Sequence, residues 1–160
     1  MEVDENAFKG DWSIGIHVYK HICNILPLGC SILEFGSGQG SSELGKRWNI
    51  QCVEHDARFL NMYPNIDYIY GPIVNGWYDH NIIESIDPNF DLLLIDGPPG
   101  FIGRKGILEF IDRLDVRNVS IIIDDTNRKD EQELYITLAE KLGRSMISVQ
   151  DGNKQFGVLY

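Results

Sequence analysis

Basic residues are the scarcer charged class in this sequence: 14 lysines and arginines stand against 24 aspartates and glutamates, for a formal net charge of -10. Affinity for nucleic acid comes largely from cations that neutralise phosphates, so a polyanion is disfavoured as the main partner. Cysteine is scarce as well, with three residues, Cys23, Cys30 and Cys52. Their number is odd, no C-x-x-C spacing occurs and their neighbours are apolar, which speaks against a zinc or disulfide framework and predicts reduced thiols in a cytoplasmic protein. No apolar run approaches the roughly 20 residues of a membrane-spanning helix, and the acidic start lacks the apolar stretch of a signal peptide, so no membrane partner is expected. Internal repeats and low-complexity stretches are missing too.

What is present is enough apolar residue, 43%, to bury the core of one domain. Residues 1–10 read as a flexible leader and 11–160 as the domain. The spacing of Ile14, Val18, Ile22 and Ile25 predicts a helix over 11–26, ended by Pro27 and Gly29. Short apolar runs predict strands at 31–35, 50–54, 68–70, 91–96 and 119–124, with helices at 41–48, 57–63, 104–114 and 130–142. The tail differs: strands at 145–149 and 155–160 flank Asp151-Gly152-Asn153, a hairpin signal. This order implies an α/β fold with a single doubly wound, mostly parallel seven-stranded sheet and a C-terminal antiparallel hairpin. Ligands of such sheets bind beyond the carboxyl ends of the strands, where Glu34, Glu54, Asp96 and Asp124 all fall.

Gly36, Gly38 and Gly40 follow the first strand and open a helix, a spacing that supplies a tight turn and lets a ligand approach the backbone. Glu54 ends the next strand, where a carboxylate can accept from both hydroxyls of a ribose. Dinucleotide and S-adenosylmethionine sites share this arrangement. Glu34, just ahead of the first glycine, would repel a pyrophosphate and attract an ammonium or sulfonium. The spacing also differs from the G-x-G-x-x-G of dinucleotide loops, so S-adenosylmethionine is favoured over NAD.

On these residues the chain resembles the class I S-adenosylmethionine-dependent methyltransferases. The E-x-G-x-G-x-G segment over 34–40 is similar to the family's first motif, which implies that Gly36, Ser37 and Gly38, with Glu34 and Gly40, line the methionine end of the cofactor. Glu54, with His55 beside it, resembles the acidic ribose ligand, and the terminal hairpin is similar to the antiparallel pair that closes this fold.

Asp96-Gly97-Pro98-Pro99-Gly100 follows the fourth strand of this reading and Asp124-Asp125-Thr126-Asn127-Arg128 the fifth. Three carboxylates this close repel one another unless a cation or a raised pKa relieves them, and their oxygens suit a divalent ion such as Mg²⁺ or Mn²⁺. Asp96, Asp124 and Asp125 resemble the metal ligands of the catechol and caffeoyl-coenzyme-A O-methyltransferases, although Pro99 stands where those enzymes carry a lysine. The D-G-P-x-G segment is instead similar to the glucuronoxylan-type sugar O-methyltransferases. The expected chemistry is methylation of a hydroxyl on a small-molecule or carbohydrate substrate, with Asp96 as base or metal ligand. Arg104 and Arg128 are candidates for binding an acidic group of that substrate. Two alternatives remain: a non-catalytic, regulatory S-adenosylmethionine-binding module and an NAD-dependent oxidoreductase. His17 and His21 have no third ligand spaced with them and read as surface residues, and Trp77-Tyr78 read as packing.

Overall fold

A computed structural model describes residues 3–10 and 13–160. In chain order its elements are α1 (Ile16–Ile25), β1 (Ser31–Phe35), α2 (Gln39–Leu44), β2 (Asn49–Glu54), β3 (Ile66–Tyr70), β4 (Ile73–Val74), β5 (Trp77–Tyr78), β6 (Leu92–Ile95), α3 (Ile107–Phe110), β7 (Ser120–Ile123), α4 (Lys129–Leu142), β8 (Met146–Asp151) and β9 (Lys154–Leu159). Seven strands form one sheet in the order β3-β2-β1-β6-β7-β9-β8. It is parallel from β3 to β7, while β9 runs antiparallel to both β7 and β8, as the strand pattern and the terminal hairpin predict.

A strand covered on both faces needs apolar residues on both, and β6 is buried at all four positions. Side chains alternate across the sheet. Leu33, Phe35, Val53, Leu93, Ile95 and Ile123 face one layer, with Phe110, Leu134 and Leu138. Ile32, Cys52, Leu92, Leu94 and Ile122 face the other, with Val18, Ile22 and Leu44. The sheet order reverses between β1 and β6, so the loops that leave their carboxyl ends part there and open the crevice where ligands of such sheets bind.

Local features differ from the sequence reading at several points. Residues 57–63 form turns and no helix, because Asp56 accepts from the backbone N–H and guanidinium of Arg58 and Asn61 takes a left-handed φ of 58°. The helix expected over 104–114 shrinks to α3 and a 3-10 turn, Ile111–Arg113, after Gly103 at φ 92°. A small hairpin, β4 with β5, turns through Asn75 and Gly76, both at positive φ, a sequence signal that hydrophobic periodicity passed over. Asp11 and Trp12, where the first helix was expected to begin, lie outside the described residues, as do Met1 and Glu2. Ahead of them Glu5–Phe8 forms a 3-10 turn, with Phe8 buried against Tyr19 at a ring separation of 5.1 Å.

Candidate functional site

Gly36 takes φ 90°, a conformation that favours glycine, and a Cβ there would lie 2.8 Å from the backbone N of Gly97. A Cβ on Gly97 would in turn meet Gly36 Cα at 2.7 Å and Tyr78 Oη at 2.6 Å. The loops after β1 and β6 therefore touch backbone to backbone, which is why glycine stands at both positions. Gly38 N donates to Ser41 Oγ at 3.0 Å and Gly40 N donates to Ser13 Oγ at 3.1 Å. Ser13 was not foreseen; it reaches the loop across 27 residues of sequence, with no local signal to announce it.

Glu54 ends β2 almost wholly buried. Its Oε2 accepts from the backbone N–H of Ser37 at 3.1 Å and from Ser37 Oγ at 2.8 Å, and its Oε1 accepts from Asp56 N at 2.8 Å. A carboxylate offers about four lone-pair sites, so Oε1 retains one. The carboxylate thus ties the glycine loop to the end of β2 and keeps room for an incoming hydroxyl. His55 Nδ1 stands 2.9 Å from Glu54 Oε1 without the alignment of a hydrogen bond.

Glu34 is placed differently from Glu54. It is 1% exposed and turned under the glycine loop, where the Cys52 thiol donates to its Oε2 at 2.8 Å. Burial pushes its pKa up to about 7, against the pull of Cys52 and Ser41. Its side chain therefore faces the interior, bonded to β2.

At the neighbouring strand ends, oxygens of Asp96, Asp124 and Asp125 all lie within 4.8 Å of one another, as the sequence led one to expect. Asp125 takes a left-handed φ of 59°, which turns its carboxylate back into the cluster. Burial raises the Asp96 carboxyl well above its ordinary range, with Asp124 adding to the effect and Arg104 opposing it. Asp124 is raised by burial and by Asp125.

Arg104, expected to meet substrate, is 4% exposed and turned inward. Its Nε donates to Pro98 O at 3.2 Å and its Nη1 to Asp124 O at 3.0 Å, while Nη2 reaches Asp125 Oδ2 at 3.2 Å and Asp96 Oδ1 at 3.5 Å. It is an internal cross-link, not an open cation. Arg128 remains half-exposed, 3.1 Å from Asp125 Oδ2, and lines a cleft of about 470 Å³ with Pro99, Gly100 and Phe101, which is 82% exposed. Lys154, on β9, brings a third cation to 3.8 Å from Asp125 Oδ1. Nothing near it in sequence signals that role; the pairing of Thr126 with Gln155 across the sheet edge puts it there.

The two groups that the sequence implies fare differently against these residues. Tyr78 is fully buried beside Gly97, its hydroxyl lacks a hydrogen-bond partner among the described residues, and Asp124 Oδ2 is orphaned likewise. Unpaired buried polar atoms cost about 1–3 kcal/mol each, so polar ligand atoms are the natural partners here. With the free position on Glu54, these residues fit a nucleoside cofactor. A divalent ion fits less well, because two of the three carboxylates that would ligate it, Asp96 and Asp125, already hold the guanidinium of Arg104. His21, read as a surface residue, contacts Tyr160 Oη through Nε2 at 3.0 Å, away from this rim.

No model of a known protein family matches the sequence, and no curated protein matches it either. Solved structures do. The precorrin 8w decarboxylase of Methanobacterium thermoautotrophicum is 14% identical with a TM-score of 0.67, over 99% of this chain and 98% of that one. A provisionally assigned caffeoyl-CoA O-methyltransferase from Staphylococcus aureus is 14% identical with a TM-score of 0.65, over 99% and 85%. The MycE methyltransferase of the mycinamycin biosynthetic pathway, solved with Mg and S-adenosylhomocysteine, is 17% identical with a TM-score of 0.60, over 98% of this chain and 49% of that one. The chain has the fold of these proteins.

Proposed function

We propose that this protein binds S-adenosylmethionine and transfers its methyl group to a hydroxyl of a small-molecule or carbohydrate acceptor. The observation that carries the reading is Glu54: a buried carboxylate at the end of β2, bonded to Ser37 of the glycine loop and retaining an acceptor position for a ribose hydroxyl. The antiparallel β9, which dinucleotide-binding domains lack, supports this cofactor over NAD.

When bound, the cofactor supplies a methyl carbon made electrophilic by its sulfonium. The loop from Gly36 to Gly38 receives the methionine end, and Glu54 orients the ribose. Asp96, at the strand-end rim beside the glycine loop, accepts the proton of the acceptor hydroxyl. Arg104 fixes its direction. Arg128, Phe101 and the cleft beside them lie next to the carboxylates and offer the acceptor a seat.

Calorimetry with S-adenosylhomocysteine and with NAD tests the cofactor. S-adenosylhomocysteine should bind, and Glu54→Ala should weaken it by about tenfold or more, roughly 1.4 kcal/mol. Binding of NAD with none of S-adenosylhomocysteine would overturn the reading. Asp96→Asn should keep cofactor affinity and lose methyl transfer; retained transfer would remove Asp96 from the role of base.

A further inference from the structure

The rim that the sequence offers to a divalent ion is already occupied by cations of the chain itself. Three carboxylates gather there, and three cations reach two of them: Arg104 spans Asp96 and Asp125, Arg128 stands 3.1 Å from Asp125 Oδ2 and Lys154 3.8 Å from Asp125 Oδ1. Arg104 is the one that cannot step aside. Its side chain is 3% exposed, and Nε and Nη1 are held by the carbonyl oxygens of Pro98 and Asp124, one on each strand-end loop. With two further contacts from Nη2, four of its five N–H groups are engaged. A guanidinium does not lose its proton in a protein, so it cannot yield its place to a metal by becoming neutral, as a lysine could.

We infer that Arg104 is the resident cation of this rim, holding the carboxylates of Asp96 and Asp125 and the main-chain oxygen of Asp124 together and leaving no metal site there. A metal placed among these oxygens would meet the fixed positive charge at contact distance, and the Asp125 oxygen bonded to both arginines would have to abandon them. The same fork cross-links the loop after β6 to the loop after β7, so it sets the direction of the Asp96 carboxylate. Arg104 is thus a positioning residue that does the work of a metal without one. This last role rests on the methyl-transfer reading; the exclusion of the metal does not.

The test is Mn²⁺ titration followed by water-proton relaxation, on the wild type, Arg104→Met, and Arg104→Met combined with Asp124→Asn. The wild type should show no saturable site tighter than about 1 mM. Arg104→Met, which keeps the length of the stem and removes the charge, should gain a site at least about tenfold tighter, and Asp124→Asn should abolish it. Saturable wild-type binding that is lost in Asp124→Asn overturns the inference, as does a folded Arg104→Met that gains nothing. If circular dichroism shows Arg104→Met unfolded, the wild-type titration decides alone, against Asp124→Asn. S-adenosylhomocysteine binding measured on the same samples separates the two proposals: a wild type that binds it together with Mn²⁺ overturns this inference alone, and one that binds neither overturns the methyl-transfer reading alone.

Discussion

Glu34 and Glu54 look alike in the sequence, each a glutamate at the end of a parallel strand, and their surroundings give them different work. Glu34 is enclosed by Cys52 and the loop, and its pKa is pushed up to about 7 from an ordinary 4.5. A carboxyl whose folded pKa is raised contributes stability that is fully present below its unfolded pKa and is lost as pH rises through the folded one. Stability should therefore decline between about pH 4.5 and 7, with Asp96 and Asp124 acting in the same direction. Glu34→Gln should remove its share, on the order of 2–3 kcal/mol at pH 8, while changing little at pH 4. Urea denaturation at the two pH values measures this, and equal effects at both would show that Glu34 is not the titrating group. Tyr78 poses the opposite case. Burial, with Glu54 adding to it, pushes its hydroxyl well above its usual range, so the group stays protonated and available as a donor. Tyr78→Phe should leave the ligand-free protein at least as stable, since no hydrogen bond is lost, and should weaken S-adenosylhomocysteine by about three- to tenfold. A lower melting temperature with unchanged affinity would assign the hydroxyl a structural role instead.

The glycine loop and the loop after β6 meet backbone to backbone. Because Gly36 packs against Gly97 at φ 90°, Gly36→Ala adds both a left-handed strain and a collision, and should cost more than about 2 kcal/mol along with most cofactor affinity. Gly143 is a control: it ends α4 at φ 62° with nothing within 4 Å of a Cβ, so Gly143→Ala should cost about 1 kcal/mol and leave affinity intact. Thermal denaturation and calorimetry on the two variants check the pair; equal losses of affinity would mean that the Gly36 contact is not what shapes the site. The segments that departed from their sequence pattern were those where one side chain overrides periodicity. Asp56 draws Arg58 into a turn, and the inward Arg104 stands at the start of what was expected to be a longer helix. Asn75-Gly76 was legible as a hairpin turn, but the two-residue strands around it are too short for periodicity to register.

Across the whole sheet, stability rests on strands enclosed from both sides. Leu94 has no exposed surface and stands between β1 and β7, so Leu94→Ala should cost about 3–4 kcal/mol in urea denaturation; a loss under about 1 kcal/mol would mean that the layers repack freely around it. The alternation of unbroken apolar runs with helical spacing determined, from sequence alone, a parallel sheet ended by a hairpin, because burial on one or two faces writes itself into local periodicity. The glycine loop, Glu54 and the three aspartates were legible for the same reason: each follows directly on a strand, and strand ends share a rim. Which groups meet there follows from packing in space. Ser13 reaches Gly40, Lys154 reaches Asp125, Glu34 turns inward and Arg104 fills the space among the carboxylates, all through contacts between segments far apart in the chain. Sequence supplied the charged residues of the rim, and the three-dimensional packing determined which of them pair, because electrostatic pairing depends on distance in space and leaves no periodic trace along the chain.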